Sequence, residues 1–310
     1  MRQFLLILSI AILYSCSKPD YMALRSESLL AFTEERYKES LAPLEKLLKK
    51  YPQDAPYTLM LAQSLYHSGQ KEEAFSFIDK SLEIDPKFAE AFQVRAAFLA
   101  YEESFTQALK DIETAIKLMP ENVEFYITAG DIYKKTGKIE GAKAYYSQAI
   151  ELAPMNPFPY NNRGHLYLGQ LAYGDAILDF DKVVELGAAS TNTYINRGYA
   201  RMKITADSLA LVDFEKALEL AETSKLKGIA LNNLGNVKML LGDVEAAWQD
   251  INAGINLYPD NSYAYRNKAL VLIAMKRFPE ACDALSVSLD LGFSKNYGNE
   301  VEELRAQHCR

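Results

Sequence analysis

A fixed period of 34 residues constrains this chain more than any other feature. Proline recurs at that spacing, and its position is numbered here as slot 32 of a repeat: Pro52, Pro86, Pro120 and Pro154. In the same frame slot 20 holds a small residue in every repeat, once three extra residues are allowed after the sixth: Ser40, Ala74, Ala108, Ala142, Ala176, Ala210, Ala247 and Ala281. Such a period indicates a helical solenoid, stacked in one dimension, rather than a globular domain with a single core.

Each repeat is predicted to form two helices joined by a turn. Slots 1–14 and slots 18–31 each show the apolar period of an amphipathic helix, and the proline ends the second one. Glycine at slot 15 marks the turn in three repeats: Gly69, Gly137 and Gly242. Slot 8 is small, which allows close helix approach: Ser28, Ala62, Ala96, Gly130, Gly164, Gly198, Gly235 and Ala269. Slot 24 is large and is expected to fill the gap between neighbouring pairs: Leu44, Ile78, Ile112, Tyr146, Phe180, Phe214, Ile251 and Leu285.

The pattern resembles the tetratricopeptide repeat (TPR) family over residues 21–295. The fourth repeat carries the resemblance most fully, through Gly130, Tyr133, Gly137, Ala142, Tyr146, Ala149 and Pro154. The resemblance implies an all-α fold, a right-handed α-α superhelix of about eight helix-turn-helix repeats, and a protein or peptide bound on the concave surface of the first helices. The extra residues near 222–227 are expected to lengthen the second helix of repeat 6 or the loop after it.

Residues 296–310 are predicted to form a C-terminal capping helix. Tyr297, Val301, Leu304 and His308 follow the spacing of one helix face, and such a helix covers the last apolar surface of a solenoid. If this cap runs antiparallel to the second helix of repeat 8, it brings Cys309 back towards Cys282. Two alternatives stay open: an oxidising compartment permits a disulfide, or the two thiols remain reduced and apart. The cysteines concerned are Cys282 and Cys309.

The first twenty residues are interpreted as a targeting segment. Arg2 precedes a ten-residue apolar run at residues 4–13, too short to span a bilayer but typical of a signal peptide. The run ends in Leu13-Tyr14-Ser15-Cys16, which resembles the lipobox of bacterial lipoproteins. The resemblance implies a signal peptide at residues 1–15, a lipidated Cys16 that begins a tether at 16–20, and a place in the cell envelope. The alternative is an ordinary cleaved signal with a chance cysteine.

Charge and motifs exclude several classes of function. The net charge is −7 with no basic run, which argues against nucleic acid as a partner. No dinucleotide, phosphate-loop, zinc-protease or nucleophile-elbow motif is present, and the three histidines lie far apart in the sequence. We therefore predict no catalytic residue, no metal and no cofactor, and membrane attachment through the lipid alone.

A run of asparagines points to the binding surface. Slot 6 changes from Ser26, Met60, Val94 and Thr128 in the first four repeats to asparagine in the last four: Asn162, Asn196, Asn233 and Asn267. In TPR proteins this slot faces the groove, and the run resembles an asparagine ladder that grips a peptide backbone, since an amide both donates and accepts hydrogen bonds. The alternative is that asparagine only solvates the groove. Further groove residues are expected at Phe158, Asn161, His165, Tyr199, Asn232, Asn236, Tyr263 and Arg266.

Arginine at slot 7 recurs together with an aspartate 16 residues on. The pairs are Arg95 with Asp111, Arg163 with Asp179 and Arg197 with Asp213, and they are interpreted as structural links between the two helices of one repeat. Taken together, the sequence predicts an envelope lipoprotein that acts as an adaptor for a protein or an extended peptide, with no prediction of oligomeric state. A structural subunit of an outer-membrane or secretion assembly is the second class, and an enzyme with an unrecognised site is the third.

Overall fold

A computed structural model describes residues 19–309, and within them it contains eighteen α-helices. The helices form eight consecutive antiparallel pairs followed by two short C-terminal helices, so the predicted all-α repeat fold is confirmed. Their bounds are α1 Pro19–Thr33, α2 Tyr37–Lys50, α3 Ala55–His67, α4 Lys71–Ile84, α5 Ala89–Tyr101, α6 Phe105–Leu118, α7 Val123–Lys135, α8 Ile139–Leu152, α9 Pro157–Gly169, α10 Tyr173–Glu185, α11 Thr191–Lys203, α12 Asp207–Leu220, α13 Ser224–Leu240, α14 Val244–Leu257, α15 Ser262–Ala274, α16 Phe278–Asp290, α17 Phe293–Tyr297 and α18 Glu300–His308.

The described residues divide into two compact units, one within residues 1–145 and the other within residues 146–310. In the first unit the apolar side chains form successive clusters, one centred on Leu44 and Leu61, one on Ile78 and one on Ile112. In the second unit the clusters follow in the same way, centred on Phe214, Ile251 and Leu285. Each cluster lies between neighbouring helices in the chain, as expected of a stack in which every repeat contacts mainly its neighbours.

The repeat frame is confirmed by burial. Every slot 20 residue and every slot 24 residue is 0% exposed. Within a pair, slot 8 meets slot 24: a Cβ added at Gly164 would lie 2.9 Å from Phe180 Cε1, and one added at Gly198 would lie 2.8 Å from Phe214 Cε1. The large residue therefore packs against the first helix of its own pair, in addition to the space between pairs that the sequence suggested.

The turn inside each pair adopts one backbone conformation. The three glycines at slot 15 have positive φ, as their residue type predicted. The same slot is left-handed in the other five repeats, where it holds a side chain: Glu35, Glu103, Leu171, Thr205 and Lys276, with φ between 57° and 61°. The geometry of the helical hairpin imposes this conformation on whatever residue stands there.

The three extra residues lengthen a different helix from those expected. α12 ends at Leu220, at the usual place, whereas α13 begins early at Ser224 and has 17 residues against 13 in α11. Thr223 caps it, because its side chain accepts a hydrogen bond from the Leu226 backbone N–H. The expectation of a longer second helix or loop in repeat 6 is therefore wrong; the insertion extends the first helix of repeat 7 at its N-terminus.

The C-terminal region contains two helices instead of one. Gly298, with φ of 90°, separates α17 from α18, so Tyr297 does not share a helix face with the other three residues and is 57% exposed. Val301 is fully buried in the terminal cluster and Leu304 packs against it. Cys282 and Cys309 are joined by a disulfide, with 5.7 Å between their Cα atoms, which ties the end of α18 to α16.

Candidate peptide-binding groove

The candidate site lies in the second unit, on the first helices of repeats 5 to 8, which are α9, α11, α13 and α15. Slots 2, 6, 9 and 13 of such a helix are spaced by four, three and four residues, so they share one face. We call this face the groove stripe. All four helices begin at an amide or hydroxyl cap that accepts a hydrogen bond from the first turn, which fixes where each helix starts: Asn156, Ser190, Thr223 and Asn261.

Three of the four slot-6 asparagines remain half-buried on the stripe. These are Asn162, Asn196 and Asn233. The Asn196 amide nitrogen lies 3.4 Å from His165 Nε2 of the preceding repeat, so these two side chains meet on adjacent helices. His165 also packs edge-on against Phe180, at 5.6 Å between ring centroids. The first helices of repeats 5 and 6 thus present polar groups side by side, which is the arrangement that a ladder requires.

Asn267 departs from this arrangement. It is 0% exposed; its amide nitrogen donates to Asn232 Oδ1 at 3.0 Å, and its amide oxygen accepts from Arg266 Nη1 at 2.7 Å. Both hydrogen-bonding ends of the side chain are occupied within the protein, so slot 6 of the last repeat does not point away from the stack. Asn232 and Asn236 are buried as well, at 2% and 7% exposed.

The last repeat is covered by the terminal helices. Arg266 forms an ion pair with Glu300 of α18, and its guanidinium lies 5.4 Å from the Tyr263 ring centroid. Tyr263 in turn stacks on Phe293 at 5.9 Å and meets Tyr297 at 5.3 Å. The described groove is therefore most accessible from repeat 5 to repeat 7, with Tyr263 and Arg266 at its end.

Aromatic and basic side chains line the middle of the groove. Tyr199 is 37% exposed, packs edge-on against Tyr173 at 6.3 Å, and carries Lys203 over its ring at 5.3 Å. Burial raises the pKa of Tyr199, and the neighbouring Tyr173 raises it further. Burial also raises the pKa of Tyr263, which the positive charges of Arg266 and Lys203 oppose. The charge of Lys203 therefore acts on Tyr263 although the two residues belong to repeats 6 and 8.

Lys203 and Tyr173 were not among the predicted groove residues. Lys203 occupies slot 13, one helical turn beyond Tyr199, so the helix period was a signal for it. Tyr173 lies on a second helix, and only the structure places it against Tyr199. Of the predicted residues, Phe158 is 41% exposed, and Asn161 accepts a hydrogen bond from the Thr193 hydroxyl at 3.5 Å.

The arginine–aspartate pairs have the predicted geometry and a further partner. Arg197 Nη2 lies 2.6 Å from Asp213 Oδ1, and Arg163 and Arg95 contact their own aspartates at 2.7 Å. Each arginine also bonds slot 25 of the preceding repeat: Asp181, Ser147 and Asp79, respectively, at 2.7, 2.8 and 2.7 Å. The motif therefore links successive repeats as well as the two helices of one repeat.

Repeat 7 keeps its aspartate without the slot-7 arginine. Lys238 replaces that arginine from another slot, because its Nζ lies 2.6 Å from Asp250 Oδ2. The aspartates of the paired repeats are almost completely shielded from water, with 1% of the Asp213 side chain exposed. These charges therefore serve the scaffold, as the sequence suggested.

Two other kinds of site are absent from the described residues. No group of three or more histidine, cysteine, aspartate or glutamate side chains in residues 19–309 is arranged to hold a metal ion. None of the helices described is long and apolar enough to cross a membrane. Cys16, the predicted lipidation site, and the signal peptide before it lie outside the described residues.

Comparison with known proteins identifies the repeats. Models of the tetratricopeptide repeat match residues 31–98 and of the TPR repeat residues 130–170. The chain thus carries tetratricopeptide repeats, a class that generally serves as an interaction module.

Solved structures share the fold at low sequence identity. The APC/C hetero-tetramer Cut9-Hcn1 contains a chain that is 18% identical, with a TM-score of 0.61, covering 93% of this chain and 55% of that one. A tetratricopeptide repeat protein from Parabacteroides merdae is 16% identical with a TM-score of 0.53, covering 82% of this chain and all of its own. YrrB, described as a TPR protein with an unusual peptide-binding site, is 21% identical with a TM-score of 0.50, covering 62% of this chain and 97% of its own.

Proposed function

We propose that this protein is a non-enzymatic envelope lipoprotein that acts as an adaptor, binding an extended protein segment in the groove of repeats 5 to 8. The observation that carries the proposal is the row of half-buried asparagines on the first helices of consecutive repeats: Asn162, Asn196 and Asn233. Neighbouring helices lie about 8–10 Å apart, so the amides would meet roughly every third residue of an extended chain. The peptide-binding site attributed to YrrB, which shares the fold, supports a role of this kind.

The experiment compares the triple variant Asn162→Ala, Asn196→Ala, Asn233→Ala with Asn267→Ala. Each groove amide should contribute up to two hydrogen bonds to a ligand, about 0.5–1.5 kcal/mol per bond. The triple variant should therefore bind the segment far more weakly while its circular dichroism and melting are little changed. Asn267→Ala should instead lower the melting temperature and change binding little, because it removes the hydrogen-bond partner of Asn232 in the interior. Full binding by the folded triple variant would place recognition elsewhere.

The anchor is the second part of the proposal. The apolar run and the sequence that ends in Cys16 support lipidation, and two acyl chains are enough for stable membrane attachment where one is marginal. Cys16→Ala should move the protein out of the membrane fraction or leave it unprocessed. Mass spectrometry that finds an unmodified N-terminus at another residue in the wild type would contradict this part and leave the groove untouched.

A structural subunit of a larger assembly is the second candidate, and the surface of repeats 5 and 6 favours it. Slot 22 is polar or small in the other repeats, whereas Leu178 and Val212 occupy it here and are 68% and 51% exposed. Leu209 lies one turn before Val212 and is 55% exposed. If this surface joins an assembly, Leu178→Glu with Val212→Glu should release the chain from a stoichiometric complex that the asparagine variant still enters.

A further inference from the structure

Acidic side chains are absent from the groove stripe of repeats 5 to 8, although the chain as a whole is acidic. The whole chain carries 41 acidic residues against 34 lysines and arginines. Slots 2, 6, 9 and 13 of these four repeats nevertheless contain no acidic residue: Phe158, Asn162, His165, Gly169, Asn192, Asn196, Tyr199, Lys203, Ile229, Asn233, Asn236, Leu240, Tyr263, Asn267, Leu270 and Ala274.

Repeats 3 and 4 show that the fold does not require the absence of acidic residues from these slots. The same four slots hold Glu90 in repeat 3 and both Glu124 and Asp131 in repeat 4. Burial raises the pKa of Glu124, and the Asp131 carboxylate raises it further, so acidic side chains are tolerated on the stripe even where they disfavour each other. Repeats 1 and 2 also lack acids at these slots, so the helix pair neither requires nor forbids them, and repeats 5 to 8 form an uninterrupted run of four acid-free stripes.

The basic side chains at this surface differ in whether a protein carboxylate already neutralises their charge. Arg266 at slot 5 already has Glu300 as its counter-ion. Lys203 is exposed, rests on the Tyr199 ring, and forms no ion pair among residues 24–309. Lys203 is therefore the cation that a ligand can approach without displacing a protein carboxylate, and the charge of Arg266 acts on the same space.

We propose that the segment bound in this groove is acidic, and that Lys203 receives one of its carboxylates beside the Tyr199 ring while the asparagines hold its backbone. This inference rests on the proposed function and names the chemical class of its ligand. Backbone recognition by amides carries no side-chain identity, so the charge of the stripe supplies the selectivity. Complementary charge also raises the rate of encounter and makes binding dependent on salt.

The test uses the full chain purified in detergent and three fluorescein-labelled 12-residue peptides that alternate serine with glutamate, glutamine or lysine. Fluorescence anisotropy measures each affinity. The glutamate peptide should bind most tightly and the lysine peptide least, and the preference for glutamate should shrink from 50 to 500 mM salt. Lys203→Glu should weaken binding of the glutamate peptide by about 3- to 10-fold, since it replaces attraction by repulsion at a partly exposed site, and should leave the glutamine peptide nearly unaffected.

Lys216→Glu is the matched control, because it changes the net charge equally, lies in the same repeat, and is exposed on α12 where it pairs with Glu219. Equal weakening by the two lysine variants would overturn the proposal, since attraction would then come from the overall charge. Equal affinity of wild type for the glutamate and glutamine peptides would also overturn it. If wild type binds both peptides equally and the triple asparagine variant binds neither, the proposed groove function stands without the preference for acidic ligands. If wild type binds none of the three peptides, both proposals are overturned.

Discussion

The match between slot 8 and slot 24 predicts that a destabilising change in one can be corrected in the other. Gly198→Ala adds a Cβ that would lie 2.8 Å from Phe214 Cε1 and 3.1 Å from Asp213 Cβ. Phe214 is fully buried, so it has little room to move. Overpacking of this kind costs about 1–3 kcal/mol, whereas replacing glycine by alanine inside a helix contributes roughly 1 kcal/mol in the other direction.

The net effect expected for Gly198→Ala is a loss of up to about 2 kcal/mol. The three repeats with alanine at slot 8 show what restores the fit, because they carry an aliphatic residue at slot 24: Ala62 with Ile78, Ala96 with Ile112, and Ala269 with Leu285. Phe214→Leu alone should leave a cavity and cost about 1–2 kcal/mol. Combined with Gly198→Ala it should be less harmful than the sum of the two, with a favourable coupling of about 1 kcal/mol or more.

The assay is hydrogen exchange of peptides from α11 and α12, because a repeat protein can open locally and a single global free energy is then ill-defined. Gly174→Ala is the control: a Cβ there meets no atom within 4 Å, so protection of α10 should rise or stay unchanged. Strict additivity of Gly198→Ala and Phe214→Leu would refute the reasoning. It would mean that the two positions do not constrain each other.

Three further predictions concern the scaffold. Asp213→Ala should cost about 3–5 kcal/mol by leaving Arg197 without its buried partner, measured by hydrogen exchange of peptides from α11 and α12, while Asp181→Ala, at a side chain that is 44% exposed, should cost at most about 1 kcal/mol. Cys282→Ser should reduce the protection of α18 in hydrogen exchange by up to about 3–4 kcal/mol, since the disulfide closes a loop with a sequence separation of 27; unchanged protection would show that packing alone holds the helix. Burial lowers the pKa of His67, so the unfolded state binds the proton first and the protection of α3 should fall as the pH drops below about 6.5; His67→Gln should remove that dependence, and a persistent slope would assign it to another group.

Residue size specified most of the fold in advance. Slots 20 and 24 are buried in all eight repeats because close helix approach admits only a small residue at one and needs a large one at the other. The left-handed turn was visible in the sequence only where glycine occupies it. At Thr205 and Leu171 the hairpin enforces a conformation that those residues do not favour on their own, so no local signal announced it.

The candidate site was less predictable, because its details depend on contacts from distant parts of the chain. Asn267 has the same residue type and slot as Asn196, yet Arg266 and Asn232 surround it and fill its hydrogen-bonding capacity. The break before α18 did have a signal, since Gly298 is the residue type that ends a helix. The regular spacing of apolar residues favoured one continuous helix, whereas the glycine within that spacing favoured a break. The glycine was the stronger evidence.

The repeats separate residues that build the scaffold from residues that are free to recognise a ligand. A slot that holds one size of residue in every repeat is constrained by packing, as slot 20 is. Slot 6 carries Met60 in one repeat and asparagine in the last four, so the helix pair itself does not dictate the choice.

Gly198 and Asn196 lie two residues apart on α11, but Gly198 belongs to the scaffold and Asn196 to the residues that are free to recognise a ligand. Gly198→Ala should therefore lower protection of α11 with little direct effect on peptide contacts, whereas Asn196→Ala should weaken binding and leave that protection nearly unchanged. The same response from both variants would show that binding and packing are not separable on this helix.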